Sequence, residues 1–451
     1  MDSDGISFRE RDKWIAQSTP VSDDPRRLPR AARDTANDQT IALAGGRVFT
    51  ATGEPARDGT VIIRGNQIEA VLPPGNQTWP DDAVVHDVTG HTVMPGLIDA
   101  HTHLTYTEPG LPMEVAQSHG DATLRAIERL RYMVETGITS VRDAASRDDI
   151  PFRLKAWIAD NRLPLPRVFA CGNLITGTGG HGAERLSPVA TGVGEIMEVS
   201  GPDEWRDAVR QMVKRGADVI KVASHFSREE LAAAVDEAHT LGLKVMCDAE
   251  TFYIDWAVDA GVDTIEHPLP RTDEAIRKMA ERGIQAVPTL IPYTIIFDLF
   301  GGYFGSTSRR FTFSKEANLE VVRRMKQAGV LIGVGTDIVM DWFRYLPEAY
   351  VEELRLLTEA GFTTTEALEA ATRVNAGILD MGNLLGTLEP GKLADVLVVD
   401  GRPDEDLNDL LKVSMVWRDG HLVVKDGRVY IPRHEGRPLP KPSAKPKGPW
   451  F

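Results

Sequence analysis

The chain has 451 residues and a formal net charge of −15, from 51 lysines and arginines against 66 aspartates and glutamates. That balance disfavours nucleic acid or an anionic membrane surface as the main partner, since both need clustered cations, and it favours a small-molecule ligand. The length suits a barrel of roughly 250 residues or more with a smaller module attached.

Residues 1–37 are charged, contain proline and show no clear periodicity, so they read as an arm without assigned function. The N-terminus MDSDGISFRERDKWIAQ lacks the apolar core of a signal peptide, and no apolar run approaches the roughly 18 residues of a membrane span. A cytoplasmic protein is expected. From Thr40 to Val93 short β-branched runs are separated by Gly turns, and the same texture returns in ADVLVVDG and VSMVWRDGHLVVKDGRVY. Residues 38–91 and 386–432 are therefore expected to share one small β-sandwich-like module.

Between them, apolar runs alternate with amphipathic helical patterns such as TLRAIERLRYMVET and EELAAAVDEAHTLG. The predicted strands are Thr92–Leu104, Ile138–Asp143, Arg167–Gly172, Asp218–Ser224, Lys244–Ala249, Thr264–His267, Gln285–Leu290 and Leu331–Asp337. Eight parallel strands with interposed helices predict an α/β fold, a (β/α)8 TIM-type barrel over residues 92–385, whose chemistry lies at the strands' C-terminal ends. A doubly wound sheet is the minor alternative. Cys171 and Cys247 each lie in apolar strand-like runs, so no disulfide framework is expected. The Pro- and Lys-rich residues 433–451 read as a tail.

Chemistry-bearing side chains gather at the downstream ends of the predicted strands. His101 and His103 are two apart on the first and point the same way, as a pair of metal ligands would. Lys221 follows on the fourth, Asp248 on the fifth, His267 on the sixth and Asp337 on the eighth. Singly, each has a plain structural reading: a snorkelling lysine, a helix-capping aspartate, a satisfied core histidine. Six such groups at one end of the same barrel point instead to a metal centre.

The motifs GLIDAHTHL, GITSVRD, GADVIKV, GVDTIEHP, IGVGTD, TRVNA (Thr372–Ala376) and LGTLEPGKLADVLVVDG together resemble the metal-dependent amidohydrolase superfamily, over roughly residues 40–430. LPRVFACG, TGGHG and EEL…DEAHTLGLKV resemble its imidazolonepropionase-like and Xaa-Pro dipeptidase-like branch, near phenylurea and carbamate hydrolases. The resemblance implies a divalent metal, zinc foremost, one or two per chain. His101, His103 and Asp337 would hold one ion, His267 would bind a second, and Lys221, as N6-carboxylysine, would bridge the two. It further implies hydrolysis of an amide-like C–N bond by metal-activated hydroxide, with Asp337 as the proton shuttle, in a homo-oligomer.

Asp248 departs from the pattern, standing where the family usually has a histidine. Three readings compete: direct ligation by the carboxylate, a single-metal centre in which Asp248 orients water or substrate, and substitution by His225 from the loop after the fourth strand.

Substrate contacts are expected from the Gly-rich loop Thr176–Arg185 through His181 and Arg185, and from Tyr106, His225 and Tyr293. The aromatic, Gly-rich stretch Tyr293–Phe313 suggests an apolar lid, which tilts the expectation towards aryl amides, ureas or carbamates over charged dipeptides. A lyase or dehydratase on the same scaffold, a prolidase-like dipeptidase and a non-catalytic binding protein are the alternatives.

Overall fold

The computed structural model describes residues 39–106, 118–183, 194–294, 303–305, 310–312 and 314–431. The N-terminal arm, the C-terminal tail, Arg185 and most of the expected lid lie outside the described residues. In chain order come β1 (Thr40–Val48), β2 (Arg57–Arg64), β3 (Gln67–Leu72), β4 (Val84–Asp87), β5 (His91–Pro95), β6 (Leu97–Thr102), β7 (Ile138–Asp143) and β8 (Arg167–Ala170). They are followed by β9 (Leu174–Gly177), β10 (Ile196–Val199), β11 (Val219–Ala223), β12 (Lys244–Asp248), β13 (Thr264–Glu266) and β14 (Gln285–Val287). The hairpin β15 (Tyr303–Gly305) and β16 (Arg310–Thr312) precedes β17 (Val396–Asp400), β18 (Val413–Arg418), β19 (His421–Lys425) and β20 (Arg428–Val429).

The N- and C-terminal strands do combine: one sheet runs β20-β19-β18-β17-β5-β1-β2-β3, with β4 paired to β1. Its core includes Leu43, Val61, Ile63, Val93, Val398 and Trp417. The rest of the chain is α/β with parallel sheets, β6-β7-β8 and β10-β9-β11-β12-β13-β14. Backbone bonds connect these two sheets at both margins. On one side Asp218 N donates to Ala170 O at 2.8 Å; on the other, the segment 331–337 receives Ala286 N on Leu331 O at 3.0 Å and Ala100 N on Val334 O at 2.9 Å.

Helices fall between strands where the sequence supplies an apolar stripe and terminal signals. Pro202–Arg215 has Pro in its first turn, acids at its start, bases at its end and Gly216 in the left-handed conformation at its close. It buries Trp205, Ala208, Val209 and Met212. Arg228–Thr240 opens with a capping box between Ser227 and Glu230.

Two predicted strands require correction. Thr92–Leu104 is two strands, because Gly96 switches partner: Gly96 N donates to Asp395 O, whereas Leu97 N donates to Gly137 O. A side chain at Gly96 would collide with Thr139, so only glycine lets the chain pass from one sheet to the next. Leu331–Asp337 is no regular strand; it makes a single parallel bridge, Ala286 to Ile332. Side chains fix it instead. Asn375 of TRVNA receives Val334 N at 3.0 Å and donates to Ile98 O at 2.6 Å and Val334 O at 2.8 Å.

Candidate metal centre

The ends of β6, β11, β12 and β13 and the segment 331–337 bring six predicted residues to one cavity of about 150 Å³. His101, His103, Lys221, Asp248, His267 and Asp337 line it together with Tyr106, His181 and Tyr293. Leu174, Pro292 and Val339 add apolar wall. His225 is not among the lining residues. Its ring stacks on Tyr253 at 6.2 Å and its carbonyl accepts from Gly177 N, so substitution by His225 at the centre finds no geometric support. Cys171 and Cys247 are buried free thiols.

Asp337 stands at the middle. Its Oδ1 lies 3.2 Å from His103 Nε2 and 3.6 Å from His101 Nε2, and its Oδ2 lies 3.8 Å from His267 Nδ1. Burial pushes the Asp337 carboxyl up, but His101, His103 and His267 outweigh it and hold the group below the usual carboxylate range. His101 is held well below the usual imidazole range, first by burial and then by the Lys221 charge, so it is a neutral ring with a lone pair to offer. Its Nδ1 is bonded to Glu266 Oε2 at 2.6 Å, and His103 Nδ1 to Ala145 O at 3.2 Å. Both rings are thereby fixed with Nε2 facing Asp337.

His101 Nε2 is buried and has no hydrogen-bond partner among the described residues. An orphaned buried nitrogen costs roughly 1–3 kcal/mol, and a divalent cation would satisfy it. His101, His267 and Asp337 offer ligand atoms that all lie within 4.8 Å of one another. The imidazoles and the carboxylate of this group therefore fit a metal of the zinc class. Lys221, 1 % exposed, makes no hydrogen bond or ion pair to any described residue.

Several supporting residues escaped the sequence reading. Glu266 joins His101 to Arg142, whose Nη2 reaches its two oxygens at 2.9 and 3.0 Å. Arg129 donates to His103 O and Leu104 O at 3.0 Å and to Tyr106 O at 2.6 Å, tying down the chain just beyond β6. Asp99 takes Thr336 Oγ1 at 2.6 Å and His101 N at 3.1 Å. A signal existed for Arg129: it lies on the apolar stripe of its helix with Ala122, Ala126, Leu130 and Met133.

Residues 92–423 match the Amidohydrolase family profile. The ochratoxinase of Aspergillus niger is 28% identical over 91% of this chain and 92% of its own length. The imidazolonepropionase of Geobacillus kaustophilus is 26% identical over 87% of this chain and 98% of its own. Among solved structures, a prolidase complexed with N-methylphosphonate-L-proline superposes with a TM-score of 0.76 at 30% identity, covering 86% of this chain and 100% of that one.

Proposed function

The chain belongs to the amidohydrolase family, and from that premise we propose that its cavity hydrolyses a small amide, urea or carbamate bearing an apolar or aromatic group. It is an enzyme, a hydrolase of C–N bonds. The observation that carries the finer reading is the partnerless, buried Nε2 of His101 beside Asp337. His101, His103, His267 and Asp337 would hold the metal, zinc by preference. When bound, a divalent ion acidifies water and polarises a carbonyl.

The protein's own groups do the rest. Asp337 takes the proton of the attacking water and delivers it to the leaving nitrogen, a role suited to the carboxylate that stands among His101, His103 and His267 at the middle of the cavity. His181, whose Nε2 is 3.3 Å from Asp248 Oδ2, faces the cavity and donates to the substrate carbonyl. Tyr106 and Tyr293 flank the histidines, with ring centroids 4.8 Å from His103 and 5.4 Å from His267, and give an apolar group a flat wall. Lys221 is the candidate for N6-carboxylation: capture of CO2 turns a buried amine into an anionic oxygen donor. The two linked parallel sheets are read as a (β/α)8 barrel, with the cavity at the strands' C-terminal ends.

The test is a panel of N-aryl amides, phenyl carbamates, phenylureas and Xaa-Pro dipeptides, run before and after chelation and after zinc is restored. Loss and recovery of turnover on an uncharged aryl substrate, with labelled oxygen from water entering the product, is the expected result. Turnover that survives complete metal removal defeats the proposal, and product without label favours the lyase reading.

A further inference from the structure

A second cavity, of about 340 Å³, lies at the other end of the parallel strands. Arg167 opens β8 and Asp218 directly precedes β11, so the cavity sits at the strands' N-terminal ends, away from the metal centre and beside the helix Ile150–Ala159. Ile158, Val168, Phe169, Met381, Leu384 and Leu393 give it an apolar wall, and three cations line it, Lys155, Arg167 and Arg418. Two of them are matched. Lys155 donates to Asp218 Oδ1, and Arg167 Nη1 reaches Asp395 Oδ2 at 2.8 Å. Arg418 is different: it is 3 % exposed, and among the described residues it forms no ion pair. Its Nη2 donates to Asn161 Oδ1 at 2.6 Å and to Ile158 O at 3.4 Å, while Nε and Nη1 have no acceptor among the described residues. Asp419, the remaining acid on the wall, accepts from Asn66 Nδ2 at 3.3 Å instead. Burial and then Arg167 push the Arg418 guanidinium down to about 10, against the weaker pull of Asp395 and Asp419. Buried guanidinium groups are normally paired, so one left part-open beside a cavity is short of an anion.

We propose that this cavity binds a small carboxylate with an apolar body, its head on Arg418 and its chain against Phe169, Met381 and Leu384. A single negative charge matches the single unpaired cation, whereas a phosphate dianion would carry a surplus charge towards Asp218 and Asp419 on the same wall. The apolar wall selects against a bare inorganic anion, which has nothing to bury there. The volume falls at the lower end of the roughly 300–1,000 Å³ of small-molecule sites. Phe169, Met381, Leu384 and Leu393 pack in one cluster with Ile98 of β6, the strand that carries His101, so an occupant would bear on the packing beneath the metal centre. The site is separate from the metal-hydrolase reading and does not rest on it.

The experiment is isothermal titration of the full chain with hexanoate and, separately, with hexylamine, for the unaltered protein and for Arg418→Met, Leu384→Trp and Asp337→Asn. Saturable binding of hexanoate and none of hexylamine is expected in the unaltered protein. Affinity should fall at least about 10-fold in Arg418→Met, which keeps most of the bulk and removes the charge-assisted bond. Leu384→Trp fills the cavity without altering the guanidinium and should abolish binding, so the test stands even where Arg418→Met does not fold. Asp337→Asn, altered only in the metal centre, should bind hexanoate as the parent does. Binding lost in Asp337→Asn but kept in Arg418→Met and Leu384→Trp would place the carboxylate on the metal centre and overturn the inference. Equal affinity for hexylamine, or no saturation by about 10 mM hexanoate, overturns it as well.

Discussion

Replacing Glu266 by Gln tests the support beneath the metal centre. The carboxylate is fully buried and receives His101 Nδ1 at 2.6 Å, Thr264 Oγ1 at 2.6 Å and Arg142 Nη2 on both oxygens. Gln keeps the shape but removes the charge and turns one acceptor into a donor that faces either Arg142 or His101. Breaking a buried pair by removing one partner costs about 3–5 kcal/mol. Arg142 retains Ala100 O at 2.6 Å and Thr264 Oγ1 at 3.1 Å, so the lower end, about 3 kcal/mol, is expected. Loss of the group that orients a ligating histidine adds a 10- to 100-fold drop in metal affinity, or about 1.4–2.7 kcal/mol. Urea unfolding of the metal-free protein measures the first effect and chelator competition the second. The double variant Glu266→Gln with Arg142→Met removes the stranded cation, so it should recover stability but not metal affinity. A Glu266→Gln protein within about 0.5 kcal/mol of the parent and within about threefold in zinc affinity would refute this account.

Asp337→Asn should lower kcat by at least about 10²- to 10⁴-fold with near-parent circular dichroism, since it removes the proton acceptor and leaves the fold's contacts in place. Gly335→Ala should abolish zinc binding and cost about 1–3 kcal/mol, because the new methyl would lie 2.6 Å from His101 Cβ and 2.9 Å from His101 N; unchanged zinc affinity would show that β6 can yield there. Burial pushes the Glu353 carboxyl up to about 8, against the pull of Leu290 N and Ile291 N. The folded protein therefore holds a proton there that the unfolded chain releases above its ordinary value of 4.5, so stability falls as pH rises from about 4.5 to 8, by at most about 5 kcal/mol. Urea midpoints between pH 5 and 8.5 should fall less steeply for Glu353→Gln than for the parent, and parallel curves would contradict the assignment. Burial raises both cysteine thiols, so neither should react with a thiol reagent until the protein unfolds.

The six candidate residues were legible because each breaks the apolar habit of a strand at its downstream end, where a parallel architecture collects side chains. The sheet shared by the chain's two ends was legible from matching β-branched, Gly-punctuated texture. What sequence could not supply was partner choice. Nothing in VMPGLIDAHTHL says that Met94 pairs with Leu397 while Leu97 pairs with Ile138. Gly172, at φ +78, likewise ends β8 and lets the chain resume as β9 in the other sheet, a step that an apolar run does not announce. The closure by 331–337 was hidden for a related reason, since Asn375 holds that segment from 41 residues downstream.

Alternation along a strand also misleads at the centre itself. Glu266 and His267 are consecutive, so a regular strand would send them to opposite faces. Both nevertheless address His101, Glu266 through the 2.6 Å bond to Nδ1 and His267 with its ring 5.0 Å away. The left-handed conformation of His267, φ +65, breaks the alternation, and Asp337 at φ +46 turns by the same means. Such a backbone costs a non-glycine residue of order 1–3 kcal/mol and persists only where the surroundings over-determine it. Here Arg271 Nη2 clamps His267 O at 2.6 Å, and Asp337 N is bonded to His101 O at 2.7 Å. The strain lies at two of the residues whose ligand atoms converge, and its physical origin is tertiary. A glycine at either position would have marked the turn in the sequence, but a glycine could not have carried the ligand.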